Sequence, residues 1–341
     1  MPQTVIGVDL GGTNVRAGSY FEDGTPAGPS FSNPSRAQEG TDHIMDAVAS
    51  TINQAVSASG ETPSAVGMAI PGHIDDARGT VRWAPNFGYS QNGVFKEWRN
   101  VPIREPLTRR LGGVPIKMGN DANLAALGEY RFGSGRGEAK CLVMLTIGTG
   151  IGGGVVMAPT SVLGKAEGPL VLVGGNGGGA ELGHTVILHG GMDCLAGTYG
   201  AIEAYCQRDG IIGRAVNRLR RGRRSLLSDL TEGDLSRITP RLISEAATQG
   251  DELAIQVFRE TGEYLGVGIG NFINIFAPDV FAIGGQIAKA GDFILGPAVA
   301  MARDVAIGSL FEDCTIGLAE QIEDAGMLGA AALALESLKW S

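Results

Sequence analysis

Residues 4–20 read TVIGVDLGGTNVRAGSY, and residues 142–157 read LVMLTIGTGIGGGVVM. Each stretch contains an apolar run, a glycine turn and a second apolar run, a pattern that predicts two strands joined as a hairpin. Because the same layout occurs twice, the sequence predicts a duplicated α/β unit that binds a ligand between its two halves.

Helix and strand patterns alternate around the two hairpins. Apolar residues recur every four positions from Ile44 to Val56, which predicts an amphipathic helix between residues 39 and 59. Further strands are predicted at 66–70, 114–118 and 280–283, and further helices at 120–132, 240–276 with a break at Gly250, 293–307 and 325–338. Residues 212–240 are charged and predict an irregular excursion on the surface.

The composition is typical of a soluble globular protein, since 43% of the 341 residues are hydrophobic and 18% are charged. The 54 glycines are roughly twice the usual share, which indicates tight turns or close approach of the backbone to a ligand. A formal net charge of −9 disfavours binding to nucleic acid or anionic membranes. Residues 214–224, RAVNRLRRGRR, are a basic exception, for which a solvated helix and loop is favoured over a polyanion site.

The sequence carries no sign of secretion or membrane insertion. Its beginning, MPQTVIGVDL, lacks a basic segment followed by an apolar core. No apolar run approaches the roughly 20 residues of a membrane span. The four cysteines, at positions 141, 194, 206 and 314, include no CxxC pair. We therefore expect a cytoplasmic protein with reduced thiols.

The first glycine turn, from Asp9 to Asn14, is suited to phosphate binding. Its backbone N–H groups, the Thr13 hydroxyl and the Asn14 amide are donors for phosphate oxygens. The Asp9 carboxylate follows a strand and suits an Mg²⁺ that it would hold through water. An ordinary hairpin turn is the alternative interpretation of this segment.

The second glycine turn, residues 146–154, reads TIGTGIGGG and repeats the arrangement. Neither turn is followed by the GK[ST] of a P-loop, and neither has the GxGxxG layout of a dinucleotide fold. Two hairpin-type phosphate loops predict the actin-like ATPase architecture, in which a nucleotide is held between two lobes. Gly284 and Gly285 follow a late strand and are expected to lie beside the adenosine.

Residues 119–123 read GNDAN and lie between a predicted strand and a predicted helix. One interpretation is that Asn120 or Asp121 caps the helix. The other is that Asp121 faces the ligand and accepts a hydroxyl proton while a phosphoryl group is transferred. Spacing alone leaves both interpretations open.

The motifs together resemble the ROK family of sugar kinases and repressors over nearly the whole chain, and the ATP-dependent glucokinases of that family most of all. The segments that carry the resemblance, in the family's order, are DLGGTNVR from residue 9, IPG at 70–72, GNDAN at 119–123, TIGTGIGGG at 146–154, AELGH at 180–184 and FAIGG at 281–285. The resemblance implies an α/β protein with two ribonuclease-H-like lobes and an active site between them. The expected lobes are residues 1–118 with 326–341, and residues 119–325.

The resemblance also implies roles for the matching positions. The expected activity is ATP-dependent phosphorylation of a hexose at its 6-hydroxyl, with glucose as acceptor, Mg²⁺ as cofactor and Asp121 as the base. The expected sugar ligands are Gly72, Asn86, Asn120, Asp121, Glu181, His184 and Glu203. The expected nucleotide contacts are Asp9, Gly11, Gly12, Thr13, Asn14, Thr146, Gly148, Thr149, Gly150, Gly284 and Gly285. A homodimer is implied as well.

Most members of the family that this chain resembles hold a structural zinc with a histidine of the ExGH segment and three cysteines of a CxCGxxGCxE run. The chain departs from this pattern. Alanines 196 and 201 stand at two of the three cysteine positions, so only His184 and Cys194 match. Because structural Zn²⁺ needs four ligands, no structural zinc is expected. Substitution by His189 and Cys206 is the alternative. We expect hydrophobic packing and hydrogen bonds around residues 195, 199 and 202 to hold His184 and Glu203 instead.

Several alternatives stay open. Residues 87–98 and 157–179 form longer segments than in typical members and adjoin the expected sugar site, so N-acetylmannosamine, N-acetylglucosamine, fructose or mannose could replace glucose. Polyphosphate is a second possible donor. A non-catalytic sugar-binding regulator is the alternative from another class. Because the first predicted phosphate loop begins at Asp9, we expect no DNA-binding helix-turn-helix ahead of it.

Overall fold

The computed structural model describes residues 3–91, 93–165, 167–194 and 196–339. The strands are β1 (Thr4–Leu10), β2 (Asn14–Phe21), β3 (Phe31–Pro34), β4 (Ala65–Ile70), β5 (His73–Asp75), β6 (Thr80–Gln91), β7 (Val94–Pro102), β8 (Ile116–Asn120), β9 (Cys141–Ile147), β10 (Ile151–Met157), β11 (Leu170–Val171), β12 (Val280–Gly284) and β13 (Thr315–Leu318). The helices are α1 (Thr41–Ser59), α2 (Arg104–Arg110), α3 (Asp121–Phe132), α4 (Ile202–Cys206), α5 (Arg208–Arg220), α6 (Leu226–Leu230), α7 (Pro240–Thr248), α8 (Glu252–Phe276), α9 (Asp292–Val305), α10 (Gly308–Glu312) and α11 (Ala325–Lys339).

Two five-stranded sheets share one topology. The first has the order β3-β2-β1-β4-β8, in which β1 and β2 form an antiparallel hairpin while β1, β4 and β8 run parallel. The second has the order β11-β10-β9-β12-β13, with β9, β12 and β13 parallel. Each sheet therefore has the ribonuclease-H-like strand order, and the predicted duplication and the actin-like ATPase fold are confirmed. Strands β5, β6 and β7 form a separate antiparallel sheet.

Contacts divide the chain into two compact units. Unit 1 contains residues 1–139, 154–180 and 324–341, and unit 2 contains residues 140–153 and 181–323. Residues 119–139, which the sequence assigned to the second lobe, belong to unit 1 because α3 packs along α11. The bounds of the two lobes given in the sequence analysis stay a prediction.

The core of unit 1 lies on both faces of the first sheet. Alternate residues of β1 point to opposite faces, so Ile6 and Val8 join one buried cluster while Val5 joins another. Helix α1 covers the first face with apolar residues spaced by four, as the sequence predicted. Helix α11 covers the second face with Met327, Ala331 and Leu335.

Glycines let the backbone of α11 approach the first sheet and α3 closely. A Cβ on Gly67 would lie 1.7 Å from the carbonyl oxygen of Ala330, and one on Gly7 would lie 2.0 Å from that of Met327. A Cβ on Gly329 would lie 1.8 Å from the carbonyl oxygen of Leu124 in α3. No side chain can enter this seam, which we call the glycine seam of α11, without moving the backbone.

The irregular excursion predicted at 212–240 is wrong. These residues contain most of α5, all of α6 and the start of α7, and Leu219, Leu227 and Ile238 are buried. The apolar spacing of a helix was present in the sequence, since the buried residues Ile211, Ala215 and Leu219 recur every four positions. The surrounding arginines obscured this spacing. The strand predicted at 114–118 begins two residues later, at Ile116.

The other predicted elements occur within one or two residues of their expected bounds. Gly250 separates α7 from α8, as predicted. In the described part of the chain, no helix has both the length and the apolarity that crossing a membrane requires.

Candidate active site

The first glycine turn, which the sequence predicts to bind phosphate, joins β1 to β2 in unit 1. The Gly11 N–H donates to the carbonyl oxygen of Asn14 at 2.9 Å, which closes the turn. Gly12, Thr13 and Asn14 are exposed, so their backbone and side-chain donors are accessible. The structure also places Asn86 here, because a Cβ on Gly12 would lie 3.7 Å from that of Asn86. Asn86 was predicted as a sugar ligand, and it adjoins this loop.

Asp9 lies at the end of β1, against the first turn of α11. A Cβ on Gly326 would lie 2.8 Å from the Asp9 carboxyl carbon. Burial raises the pKa of the Asp9 carboxyl above its ordinary value, the Arg16 guanidinium opposes this rise, and Asp324 adds to it. Arg16 pairs with Asp324 at 2.5 Å. The carboxylate oxygens of Asp9 and Asp324 are ligands of the type that Mg²⁺ prefers.

Asn120 caps α3 and thereby presents Asp121. Its side-chain oxygen accepts from the N–H groups of Ala122 and Asn123 at 3.0 and 3.1 Å. Its side-chain nitrogen donates to the carbonyl oxygen of Gly72 at 3.0 Å. Asp121 accepts from the Ala122 N–H at 2.9 Å, so its carboxylate lies in the favourable field of the helix N-terminus. The capping interpretation is confirmed for Asn120.

Gly72 occupies a position that excludes other residues. Its φ of 108° is in the region that favours glycine, and a Cβ there would lie 2.2 Å from the carbonyl oxygen of Trp83. The structure therefore brings Gly72, Asn120 and Asp121 together within unit 1.

A glycine-rich segment, residues 174–179, lies on β5 next to Gly72. The Ile74 N–H donates to the carbonyl oxygen of Gly177 at 3.3 Å. A Cβ on Gly178 would lie 2.7 Å from the ring of His73, so the segment contacts that ring directly. The sequence analysis expected this segment, within residues 157–179, to adjoin the sugar site, but it did not identify His73, which follows Gly72 directly in the chain.

The second glycine turn, which is also predicted to bind phosphate, joins β9 to β10. The Gly148 N–H donates to the carbonyl oxygen of Gly150 at 2.9 Å, which closes this turn. Gly284 pairs with Thr146 across β12 and β9, and a Cβ on Gly285 would lie 2.4 Å from the carbonyl oxygen of Ile147. The predicted nucleotide residues of unit 2 are therefore neighbours.

Three predicted sugar ligands of unit 2 form a cluster around one imidazole. The Nε2 atom of His184 lies 3.9 Å from Glu181, and its Nδ1 atom lies 4.0 Å from Glu203. The side chains of Glu181, His184 and Glu203 are 45%, 32% and 14% exposed, so the carboxylate of Glu203 is the most enclosed. Nδ1 of His184 is buried without a hydrogen-bond partner.

Among the residues that the structure describes, no group of three or more His, Cys, Asp or Glu side chains is arranged so that it could hold a metal ion. Cys194 contacts the Thr198 hydroxyl at 2.8 Å. Burial acts to raise the pKa of its thiol, but hydrogen bonds with Thr198 and the Ala196 backbone, together with the nearby His184 imidazole, hold it below its ordinary value. Cys206 is buried, its pKa is raised to about 12, and its thiol donates to the Thr261 carbonyl.

Backbone pairing holds the segment that corresponds to the CxCGxxGCxE run. The Ile202 N–H donates to the Thr185 carbonyl at 3.0 Å, and the Met192 N–H donates to the Tyr205 hydroxyl at 2.8 Å. Ile202 is fully buried, as expected, whereas Tyr199 is 60% exposed and does not provide the predicted packing. Residue 195, the third member of that prediction, lies outside the described residues.

Comparison with known proteins places this site in a family. The family model described as "ROK family" matches residues 5–337. A glucokinase from Thermotoga maritima is 35% identical over 98% of both chains, and one from Streptomyces coelicolor is 32% identical over 97% of both. The crystal structure of a ROK family glucokinase from Streptomyces griseus, in complex with glucose and AMPPNP, has a TM-score of 0.79. That protein is 32% identical, and the match covers 98% of this chain and 99% of the other. The chain belongs to the ROK family.

Proposed function

We propose that this protein is an ATP-dependent glucokinase that transfers a phosphoryl group to the 6-hydroxyl of glucose. The observation that carries the proposal is the position of Asp121, which Asn120 fixes at the start of α3 beside Gly72. The similarity to glucokinases over the full length supports the substrate class.

The sugar ligands would be side chains that both accept and donate. Asn120, Glu181, His184 and Glu203 offer carboxylate, amide and imidazole groups, which suit adjacent sugar hydroxyls. Asn86 and Gly72 complete the proposed set. An analogue that lacks a hydroxyl would leave an enclosed group such as the Glu203 carboxylate without a partner, and it would bind weakly.

The two glycine loops would hold the phosphates of ATP through backbone N–H groups and through Thr13, Asn14 and Thr149. Mg²⁺, when bound, neutralises charge on the phosphate oxygens, and Asp9 is the residue that would hold it through water. Asp121 takes the proton from the attacking 6-hydroxyl. Catalysis by these residues is mainly a matter of positioning and charge stabilisation.

The experiment is a panel of hexoses with ATP and Mg²⁺, read as kcat/KM for each sugar. Glucose is expected to give the highest value, above N-acetylmannosamine, N-acetylglucosamine, fructose and mannose. A higher value for another hexose would change the acceptor but keep the reaction. If no hexose stimulates ADP release, the kinase proposal fails and the non-catalytic sugar-binding alternative is favoured.

The same panel with polyphosphate in place of ATP tests the donor, and we expect ATP to be preferred. We also propose that the protein is a cytoplasmic homodimer. Light scattering coupled to size-exclusion chromatography should give twice the chain mass of 35.3 kDa, and a monomer mass would remove the dimer.

A further inference from the structure

We infer that Glu203 is a positioning residue that couples the second phosphate loop to the sugar site, because its two carboxylate oxygens face these two sites separately. The inference rests on the proposed roles of residues 146–154 in nucleotide binding and of His184 and Glu203 in sugar binding. It adds that, in unit 2, the geometry of the nucleotide site and the geometry of the sugar site depend on each other.

One oxygen of Glu203 holds the phosphate loop. Oε2 accepts a hydrogen bond of 2.8 Å from the Ile151 N–H, at the point where the loop enters β10. The contact depends on glycine at position 150, since a Cβ there would lie 2.6 Å from the same oxygen. A hydrogen bond to a charged group is stronger than one between neutral groups, so this contact fixes the loop firmly.

The other oxygen of Glu203 faces the sugar site. Oε1 lies 4.0 Å from Nδ1 of His184. That nitrogen is buried and has no hydrogen-bond partner, so a small movement of either side chain would create a bond between them. Any movement of the carboxylate toward His184 or toward a bound sugar also moves the acceptor of the Ile151 N–H.

The backbone around Glu203 transmits this movement because it is tied to both sites. A Cβ on Gly183 would lie 2.2 Å from the carbonyl oxygen of Ile151, so the turn that carries His184 packs on the loop itself. Downstream of Glu203, the Arg208 N–H donates to the carbonyl oxygen of Gly148 at 3.0 Å. The phosphate loop is thus held at both ends by the segments that carry the sugar ligands.

Binding of a non-hydrolysable ATP analogue with Mg²⁺, measured by calorimetry without sugar, tests the coupling. Glu203→Ala should weaken binding about tenfold, because the loop loses a charge-assisted hydrogen bond. Glu203→Gln should retain most of the affinity, since its amide oxygen still accepts from the Ile151 N–H. Glu181→Ala is the matched control, because it removes the other carboxylate beside His184 and should leave nucleotide binding unchanged.

Glucose binding, measured separately without nucleotide, should weaken in both alanine variants. If Glu203→Ala weakens glucose binding but binds the nucleotide analogue like the wild type, Glu203 is a sugar ligand only and the coupling is overturned. Failure of the kinase proposal is distinguishable, because it appears as wild-type protein without sugar-dependent ADP release.

A reciprocal test avoids changing Glu203. Coupling between two binding sites is reciprocal, so a change in the loop should alter sugar affinity. Gly150→Ala displaces the Glu203 carboxylate and should weaken glucose binding severalfold in the absence of nucleotide. Gly148→Ala is the control in the same loop, because a Cβ there meets nothing within 4 Å. Equal glucose affinity for both variants and the wild type would contradict the inference.

Discussion

The side-chain nitrogen of Asn120 donates to the carbonyl oxygen of Gly72 at 3.0 Å, while the oxygen of the same side chain caps α3. One residue thus orders two segments of the proposed sugar site. Asn120→Ala removes both interactions and should lower the free energy of unfolding by about 1–2 kcal/mol. It should also raise the KM for glucose.

Thr239→Ala separates these two effects. Thr239 caps α7 through a bond of 3.2 Å to the Leu242 N–H, at an exposed position. Its loss should destabilise the fold by about 1 kcal/mol and leave the KM for glucose unchanged. A similar KM in the two variants would mean that Asn120 acts only on stability. Urea unfolding and steady-state kinetics give the two quantities.

Asp121 should be required for turnover but not for folding. Asp121→Asn keeps an acceptor for the Ala122 N–H but cannot take up the sugar proton. Loss of a general base lowers kcat by about 100- to 10,000-fold. Glucose binding, followed by calorimetry, should remain measurable. Turnover close to the wild-type rate would remove Asp121 from the role of base.

Asp9 should stabilise ligand binding at the expense of the fold. Burial raises the pKa of this carboxyl above its ordinary value, and although Arg16 opposes the rise, the net direction is upward, so folding disfavours the charged form relative to the unfolded chain. The contribution of Asp9 to stability is therefore complete at a pH below the ordinary carboxyl pKa. It is lost as the pH rises through the raised pKa of the folded protein. Asp9→Asn should accordingly increase the free energy of unfolding at pH 7.

The same variant should weaken the use of MgATP, because it removes the proposed oxygen ligand of Mg²⁺. The increase in stability should disappear when the unfolding is repeated at a pH below the ordinary carboxyl value. An Asp9→Asn protein that is less stable than the wild type at pH 7 would show that the carboxylate is well solvated or fully compensated by Arg16.

The glycine seam of α11 should tolerate no side chain. Gly67→Ala would place a Cβ 1.7 Å from the carbonyl oxygen of Ala330, and separating the helix from the sheet should cost about 3 kcal/mol. Gly213→Ala is the control, because this helical glycine has nothing within 4 Å of the added Cβ. It should raise stability by about 0.5 kcal/mol through helix propensity. Thermal unfolding distinguishes the two.

Zinc should not contribute to stability. Elemental analysis of the purified protein is expected to find no stoichiometric zinc, and a strong chelator should leave the Tm unchanged. Backbone pairing such as the Ile202 to Thr185 bond should hold the segment without a metal. One zinc per chain, or a fall in Tm on chelation, would show that His184 and Cys194 recruit ligands from elsewhere.

Local patterns predicted the strands, the hairpins and the cap of α3, because those features depend on neighbours in sequence. Asn120 could be identified as a cap since its partners are two and three residues away. The bond between Glu203 and Ile151 could not be predicted in the same way. It joins residues 52 positions apart, and its donor is a backbone N–H that leaves no trace in the residue type.

Helix α5 shows a second limit of sequence patterns. Arg214 lies within the helix, and its guanidinium donates to the carbonyl oxygen of Tyr205 and to the hydroxyl of Thr261. Burial lowers the pKa of Arg214 below its ordinary value, because removal from water disfavours the charged guanidinium. The basic run at residues 214–224, which the sequence indicated to be solvated, thus contains an arginine that binds polar groups of other segments. The sequence pattern did not show this, because those partners lie elsewhere in the chain.

The position of α11 bears on how the chain folds during synthesis. Strands β1 and β4 are made early, yet one of their faces is covered by a helix that follows every other element in the sequence. Such distant contacts form slowly because a long loop must close first. The first sheet therefore stays half-uncovered while the rest of the chain leaves the ribosome, and unit 2 has the opportunity to fold before unit 1 is complete.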